Sequence, residues 1–262
     1  MSAGPAHVHV ESVGIGRPLV LLHGFAMHGG LFAPILPALA RRHRVHVVDL
    51  PGHGHSPAIL PFDLASLAQA VDAAIGPGAD DAIVLGWSLG GQVAIQWARM
   101  PRARVARLVL VGTTPSFVER DGWPHAMQAE TLARFGDELR VAYRLTLQRF
   151  LALQVHGSEE GRATLAEMRA RLFERGEPTP AALAAALDLL ATTDLRAALD
   201  EVRVPALVVG GTRDALVPIE ATRELANRLP DARHMAIDGA AHAPFVSHRA
   251  SFLDAVVAFI DA

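Results

Sequence analysis

The feature that most limits how this chain can fold is Gly86-Trp-Ser88-Leu-Gly90-Gly91, placed between the apolar run Ala82-Ile-Val-Leu85 and a helix-like stretch, Gln92 to Arg99. The spacing Gly-x-Ser-x-Gly alone is common. Between a buried strand and a helix it describes a sharp turn that holds the serine in a strained backbone conformation. A side chain at a flanking glycine would collide with the adjacent strand or helix. The serine hydroxyl then projects at the top of the sheet, beside a helix N-terminus. Ser88 is therefore a candidate nucleophile, weighed against an ordinary glycine-rich turn.

The runs around it complete a pattern. Pro18-Leu-Val-Leu-Leu-His23, Val45-His-Val-Val-Asp49, Arg107-Leu-Val-Leu-Val111, Ala206-Leu-Val-Val-Gly210 and Arg233-His-Met-Ala-Ile237 read as further strands, and continuous apolar runs of this length suit a parallel sheet buried on both faces. His7-Val-His-Val10 reads as an N-terminal edge strand, antiparallel to the rest. Strands alternating with helices predict an α/β fold with a mostly parallel central sheet and helices on both faces.

The alternation stops between about Thr114 and Asp194. That stretch reads as amphipathic helices, among them Asp137 to Val155 and Glu159 to Arg175, interrupted by Pro178 and Pro180, with the Ala181 to Ala186 run in another helix. The expected organisation is a core of residues 1–114 and 195–262, with residues 115–194 an all-helical cap over the C-terminal ends of the strands. Open α/β sheets bind ligands at that edge.

A nucleophilic serine needs a base. Thirteen histidines are present; His242, in a loop after the Arg233 to Ile237 strand, is the one placed above the same edge. The third member belongs after the preceding strand, where Asp214 stands. Its role is to accept a hydrogen bond from His242, fix the imidazole tautomer and stabilise the imidazolium. Glu220 and Asp238 are its rivals and read better as solvated loop acids. The oxyanion hole calls for the N–H after the nucleophile, from Leu89, and one from the loop after the early strand, from Phe25. His23 is expected to shape that loop. His53 and His55 invite a metal reading, but no carboxylate accompanies them at ligand spacing. No metal and no cofactor are expected.

Composition narrows the partners. A net charge of −3 gives no sign of a nucleic-acid surface, and there are no cysteines for disulfides or thiolate metal sites. No uncharged apolar stretch reaches the roughly eighteen residues that cross a bilayer, and the N-terminus shows no secretory pattern. A soluble, cytoplasmic protein is the expectation, with no membrane partner. All 24 basic residues are arginine, so a single arginine is weaker evidence of anion recognition than usual.

Taken together, these pieces resemble the α/β-hydrolase superfamily. At finer grain the chain resembles the pimeloyl-acyl-carrier-protein methyl ester esterases, the BioH family. The resemblance rests on Leu21-Leu-His-Gly24, Val48-Asp-Leu-Pro-Gly52 and Leu85-Gly-Trp-Ser-Leu-Gly-Gly91. It extends to Arg120-Asp-Gly-Trp-Pro124, Arg149-Phe-Leu-Ala-Leu-Gln154, Thr193-Asp-Leu-Arg196 and Ala240-Ala-His-Ala-Pro-Phe-Val-Ser-His248. It implies hydrolysis of the methyl ester at the far end of a pimeloyl chain on acyl carrier protein, in biotin synthesis, with the chain lying along Phe25, Ser88, Leu89, Phe150, Leu151, Ala152, Leu153, Gln154 and His242. Where the family usually has tryptophan, this chain has Phe25, which removes an indole N–H from the pocket wall. An acidic carrier would meet arginines at the cap, and Arg149 and Arg162 are the candidate contacts. The opposing reading is that the cap arginines only pair with acids such as Glu138, Glu167 and Glu174. A general carboxylesterase or carbon–carbon bond hydrolase acting on free small molecules keeps the same triad. A non-catalytic binding protein on the same scaffold is the remaining alternative.

Overall fold

The computed structural model describes residues 7–262. In chain order the elements are β1 (Val10–Val13), β2 (Arg17–Leu22), α1 (Leu36–Leu39), β3 (His43–Val48), α2 (Leu64–Ile75), β4 (Ala82–Trp87), α3 (Leu89–Ala98) and β5 (Val105–Val111). They continue with α4 (Ala129–Leu153), α5 (Gly161–Arg171), α6 (Pro180–Thr192), β6 (Ala206–Gly211), α7 (Ile219–Arg228), β7 (Ala232–Ile237), α8 (Pro244–Ser247) and α9 (Arg249–Ile260). Each strand expected from the apolar runs is present within one or two residues, except the first. The edge strand lies at Val10–Val13 rather than His7–Val10, because the ladder to β3 begins at the pair Val10 and Val48. His9 stops short of it, accepting a bond from the Asp49 N–H and donating its own N–H to the Ser56 hydroxyl.

The sheet order is β1-β3-β2-β4-β5-β6-β7, with β1 antiparallel and every other pairing parallel. Residues of β2 and β4 are almost wholly buried, as expected of central parallel strands covered on both faces. The chain runs from β2 to β3 on one side and returns to β4 on the other. The loops leaving β2 and β4 therefore part in opposite directions, and such a switch point leaves a crevice beyond the strand ends. The close approach there is concrete: a Cβ on Gly24, just after β2, would lie 3.1 Å from the Ser88 Cβ, just after β4.

Between β5 and β6 the chain forms α4, α5 and α6. Helix α4 starts earlier than the charge pattern suggests and bends at Ala142, whose φ of −146° and ψ of 57° leave the helical region. The Thr146 hydroxyl donates to the Ala142 carbonyl there, which supplies an acceptor group at the bend with a partner. Gly136 lets α4 approach α6, since a Cβ at that position would meet Leu187 at 2.8 Å. Helix α5 ends at Arg171, so Arg175 lies beyond it and is free to reach into the core. Among the described residues no helix is long and apolar enough to cross a membrane.

Candidate active site

Ser88 sits at φ 56° and ψ −119°, in the left-handed half of the map where a residue with a side chain is rare. The neighbours explain why the turn needs its glycines. A Cβ on Gly86 would lie 2.4 Å from the Gly90 carbonyl oxygen, one on Gly90 would lie 2.3 Å from the Leu22 carbonyl oxygen, and one on Gly91 would run into Thr113 at 2.6 Å. The turn is tied down by the Ser88 N–H, which donates to the Val111 carbonyl, and by the Thr113 hydroxyl, which donates to the Ser88 carbonyl at 2.7 Å. The strain at Ser88, of order 1–3 kcal/mol, persists because these contacts leave the turn no alternative.

His242 and Asp214 meet at 2.7 Å between Nδ1 and Oδ2, both buried. The other oxygen, Oδ1, accepts the N–H groups of Leu216 and Val217 at 2.9 Å each. With one oxygen occupied and a carboxylate only able to accept, His242 carries its proton on Nδ1, and Nε2 is left as the basic atom. The backbone of His242 is also held at both ends. The Trp87 indole N–H donates to its carbonyl at 2.8 Å, and its own N–H donates to the Gln154 carbonyl at 3.0 Å. The rivals lie elsewhere: Glu220 is exposed in the first turn of α7, and Asp238 accepts a bond from Thr212.

The loop after β2 runs through Phe25 to Ala26, which has a φ of 60°. Among the described residues neither the Phe25 nor the Leu89 N–H has an acceptor; Leu89 follows Ser88 directly, and Phe25 lines the same cavity as Ser88. His23 shapes this loop as expected: the Leu50 N–H donates to its Nε2, and its Nδ1–H donates to the Gly24 carbonyl, each at 2.8 Å. Burial, with the neighbouring His53 ring adding to it, pushes the His23 pKa down to about 3. His53 is buried beside His23, while His55 is packed edge-on against His9. Among the described residues no cluster of three or more possible metal ligands occurs.

Ser88 and His242 border a cavity of about 100 Å³. Of the side chains expected along the substrate path, Phe25, Phe150 and Leu153 also line it; Leu89, Leu151, Ala152 and Gln154 do not. Leu151 is fully buried in the core, and the part of Gln154 that serves the site is its carbonyl, on the His242 N–H. Sequence reasoning missed Phe117, Met127, Thr131, Leu132, Phe135, Leu187, Leu190 and Leu216. The apolar faces of α4 and α6 carry several of them, but periodicity does not tell which apolar residues face a cavity and which face a neighbour. Phe25 packs edge-on against Phe150 and Phe135, with ring centroids 5.7 and 6.1 Å apart. With phenylalanine at this position that part of the wall is hydrocarbon, and away from Ser88 and His242 the Thr131 hydroxyl and the Met127 sulfur are the other heteroatom-bearing side chains of the lining.

The chain is similar to known proteins over nearly its whole length. The family model described as alpha/beta hydrolase fold matches residues 17–249. A pimeloyl-acyl-carrier-protein methyl ester esterase of Xanthomonas campestris pv. campestris is 42% identical over 260 residues, covering 97% of this chain and 99% of that protein. One of the same name from Chromobacterium violaceum is 42% identical over 255 residues, covering 97% and 98%. Among solved structures, a bromoperoxidase from Bacillus anthracis superposes with a TM-score of 0.90 at 20% identity, covering 99% of this chain and 97% of that one. At that identity it speaks for the fold alone. The chain belongs to the α/β-hydrolase family, within the group of the pimeloyl-acyl-carrier-protein methyl ester esterases.

Proposed function

We propose that this protein hydrolyses the methyl ester of a pimeloyl chain carried on acyl carrier protein, through an acyl-enzyme on Ser88. The observation that carries the reading is the left-handed Ser88 beside the buried His242–Asp214 pair, facing a cavity walled by phenylalanine and leucine. Ser88 Oγ attacks the ester carbonyl as His242 Nε2 takes its proton, and the Phe25 and Leu89 N–H groups stabilise the oxyanion. The same proton leaves with methanol. Water then attacks the acyl-enzyme by the reverse roles, and the product is a free carboxylate with the thioester intact.

The carrier would dock beside the mouth of the cavity. Leu153 both lines the cavity and is 45% exposed, so it marks the opening. Arg149 lies one turn before it on α4, on the same face. Leu145 continues that stripe and is 49% exposed, and Val141, on the far side of the bend at Ala142, is 88% exposed. Arg140 and Arg144 are engaged by Asp137 and Glu177. Arg149 is held only loosely, 3.8 Å from Glu138. Among the described residues Arg162 has no acidic partner. These are the features an acidic, partly apolar carrier helix would meet.

The test is a direct comparison of a carrier-borne pimeloyl methyl ester with free dimethyl pimelate, following methanol release and the thioester separately. The reading requires kcat/KM well above that for the free diester, with the thioester preserved. Equal rates on both substrates would move the protein to the general carboxylesterases.

A further inference from the structure

We propose that Arg175 and His28 are positioning residues through which the α4–α6 segment holds the oxyanion loop in its working shape. The proposal rests on the reading above that the Phe25 N–H serves the oxyanion, and it concerns how that donor is kept in place.

The loop from His23 to Gly30 cannot hold its shape by local preference alone, since Ala26 lies in the left-handed region. Its first half is pinned within the core by His23. Its second half depends on two acceptors. The Gly29 N–H donates to Asp49 Oδ1 at 2.8 Å, and the Gly30 N–H donates to the Nδ1 of His28 at 3.1 Å. Each acceptor is in turn held by a residue at or just past the end of α5. Arg175 Nη1 donates to the same Asp49 oxygen at 3.1 Å, and His28 Nε2–H donates to the Arg171 carbonyl at 2.7 Å.

These contacts are dry. The Asp49 side chain is 0% exposed and that of Arg175 only 12%. Arg175 passes directly over the loop, for a Cβ added at Gly30 would lie 3.3 Å from its Nε. It also reaches Glu11 on β1, so it spans two elements of the core. Burial opposes ionisation of Asp49, but the neighbouring His23 ring, the His55 and Gly29 N–H groups and Arg175 outweigh it and hold the carboxyl below its usual range. His28 is neutral by burial, which keeps Nδ1 free to accept.

An oxyanion donor acts only if it stands within a few tenths of an ångström of the developing charge, and losing one donor costs roughly 10²–10³ in kcat. Loosening its support should cost less than losing it. Arg175→Gln is therefore expected to lower kcat about tenfold while KM for the ester stays within about twofold. Affinity for a boronic acid that forms a tetrahedral adduct on Ser88 should fall by the same factor, and affinity for an unreactive amide analogue should hold. His28→Ala should behave alike. His28→Asn should recover little of the rate, because an asparagine carbonyl can accept the N–H two residues on, as Nδ1 does, but does not reach the Arg171 carbonyl that His28 Nε2–H holds.

Wild-type kcat in a folded Arg175→Gln protein would overturn the proposal. So would parallel losses in kcat, KM, the amide and the boronic acid, which mean the residues only hold the fold together, or a wild-type rate in the Asn variant, which means the tie to Arg171 does nothing. If the boronic acid fails to bind the wild-type protein at all, the fault lies in the serine and oxyanion reading rather than in this one.

Discussion

Ser88 concentrates the chemistry because everything around it is arranged to tolerate one strained residue. Replacing Ser88 with alanine should abolish ester hydrolysis with the fold retained, measured on protein purified free of host esterases. Asp214→Asn should lower kcat by about 10⁴, the effect known for the equivalent change in a serine protease, because the amide favours the wrong imidazole tautomer. Glu220→Gln should leave the rate near wild type; a larger loss there than at Asp214 would reassign the acid. Gly90→Ala tests packing, since its Cβ would press on a backbone oxygen that cannot swing away. A stability loss of about 3 kcal/mol in urea unfolding is expected, at the upper end of ordinary overpacking, and a neutral result would mean that α3 slides easily. Ser88, Asp214 and His242 were legible from the sequence because each stands just after a recognisable strand and in a fixed order. Phe135 and Leu187 were not, for no local pattern marks a side chain as facing a cavity.

Helix α4 shows how one element serves two surfaces. Its inner face sends Phe135 and Phe150 to the cavity, the Gln154 carbonyl just past its end steadies His242, and its outer face exposes Val141, Leu145 and Arg149. The double change Arg149→Glu with Arg162→Glu should raise KM for a carrier-borne ester about tenfold or more and leave a small free ester nearly unchanged. The wild-type KM for the carrier-borne ester should also rise with salt, as exposed charges that steer association are screened over about 10 Å at 0.1 M. Equal losses on both substrates would show instead that these arginines brace the helices. The expected helix from Asp137 omitted the first two turns of α4, where Arg134 and the small residues Ala133 and Gly136 blur the apolar stripe. It is the packing of Leu132 and Gly136 against α6 that extends the helix there.

Across the whole molecule, the buried histidines make stability depend on pH. Burial holds His23, His28 and His53 neutral in the folded chain, His23 down to about 3. In the unfolded chain each takes up a proton below about pH 6.5. The unfolded state therefore binds more protons, and stability falls as pH drops from about 6.5 toward the depressed native values. For a fully buried histidine the loss is on the order of 2 kcal/mol between pH 6.5 and 5. His53 adds to the cost, because its Nε2 is buried among groups that offer a proton no acceptor. Urea unfolding at pH 7.5 and pH 5 should show this fall; equal stabilities at the two values would mean that these rings take up protons in the folded state. The sequence by itself determined the alternation of strands and helices, the serine turn and the order of the triad, since these follow from local period, glycine sterics and position along the chain. Only the tertiary structure decided which apolar side chains wall the cavity, that the Gln154 carbonyl holds His242, and that Arg175 reaches Asp49 across 126 positions of chain. Those contacts join segments whose separation in sequence carries no period, and they exist only once the helices are seated on the sheet.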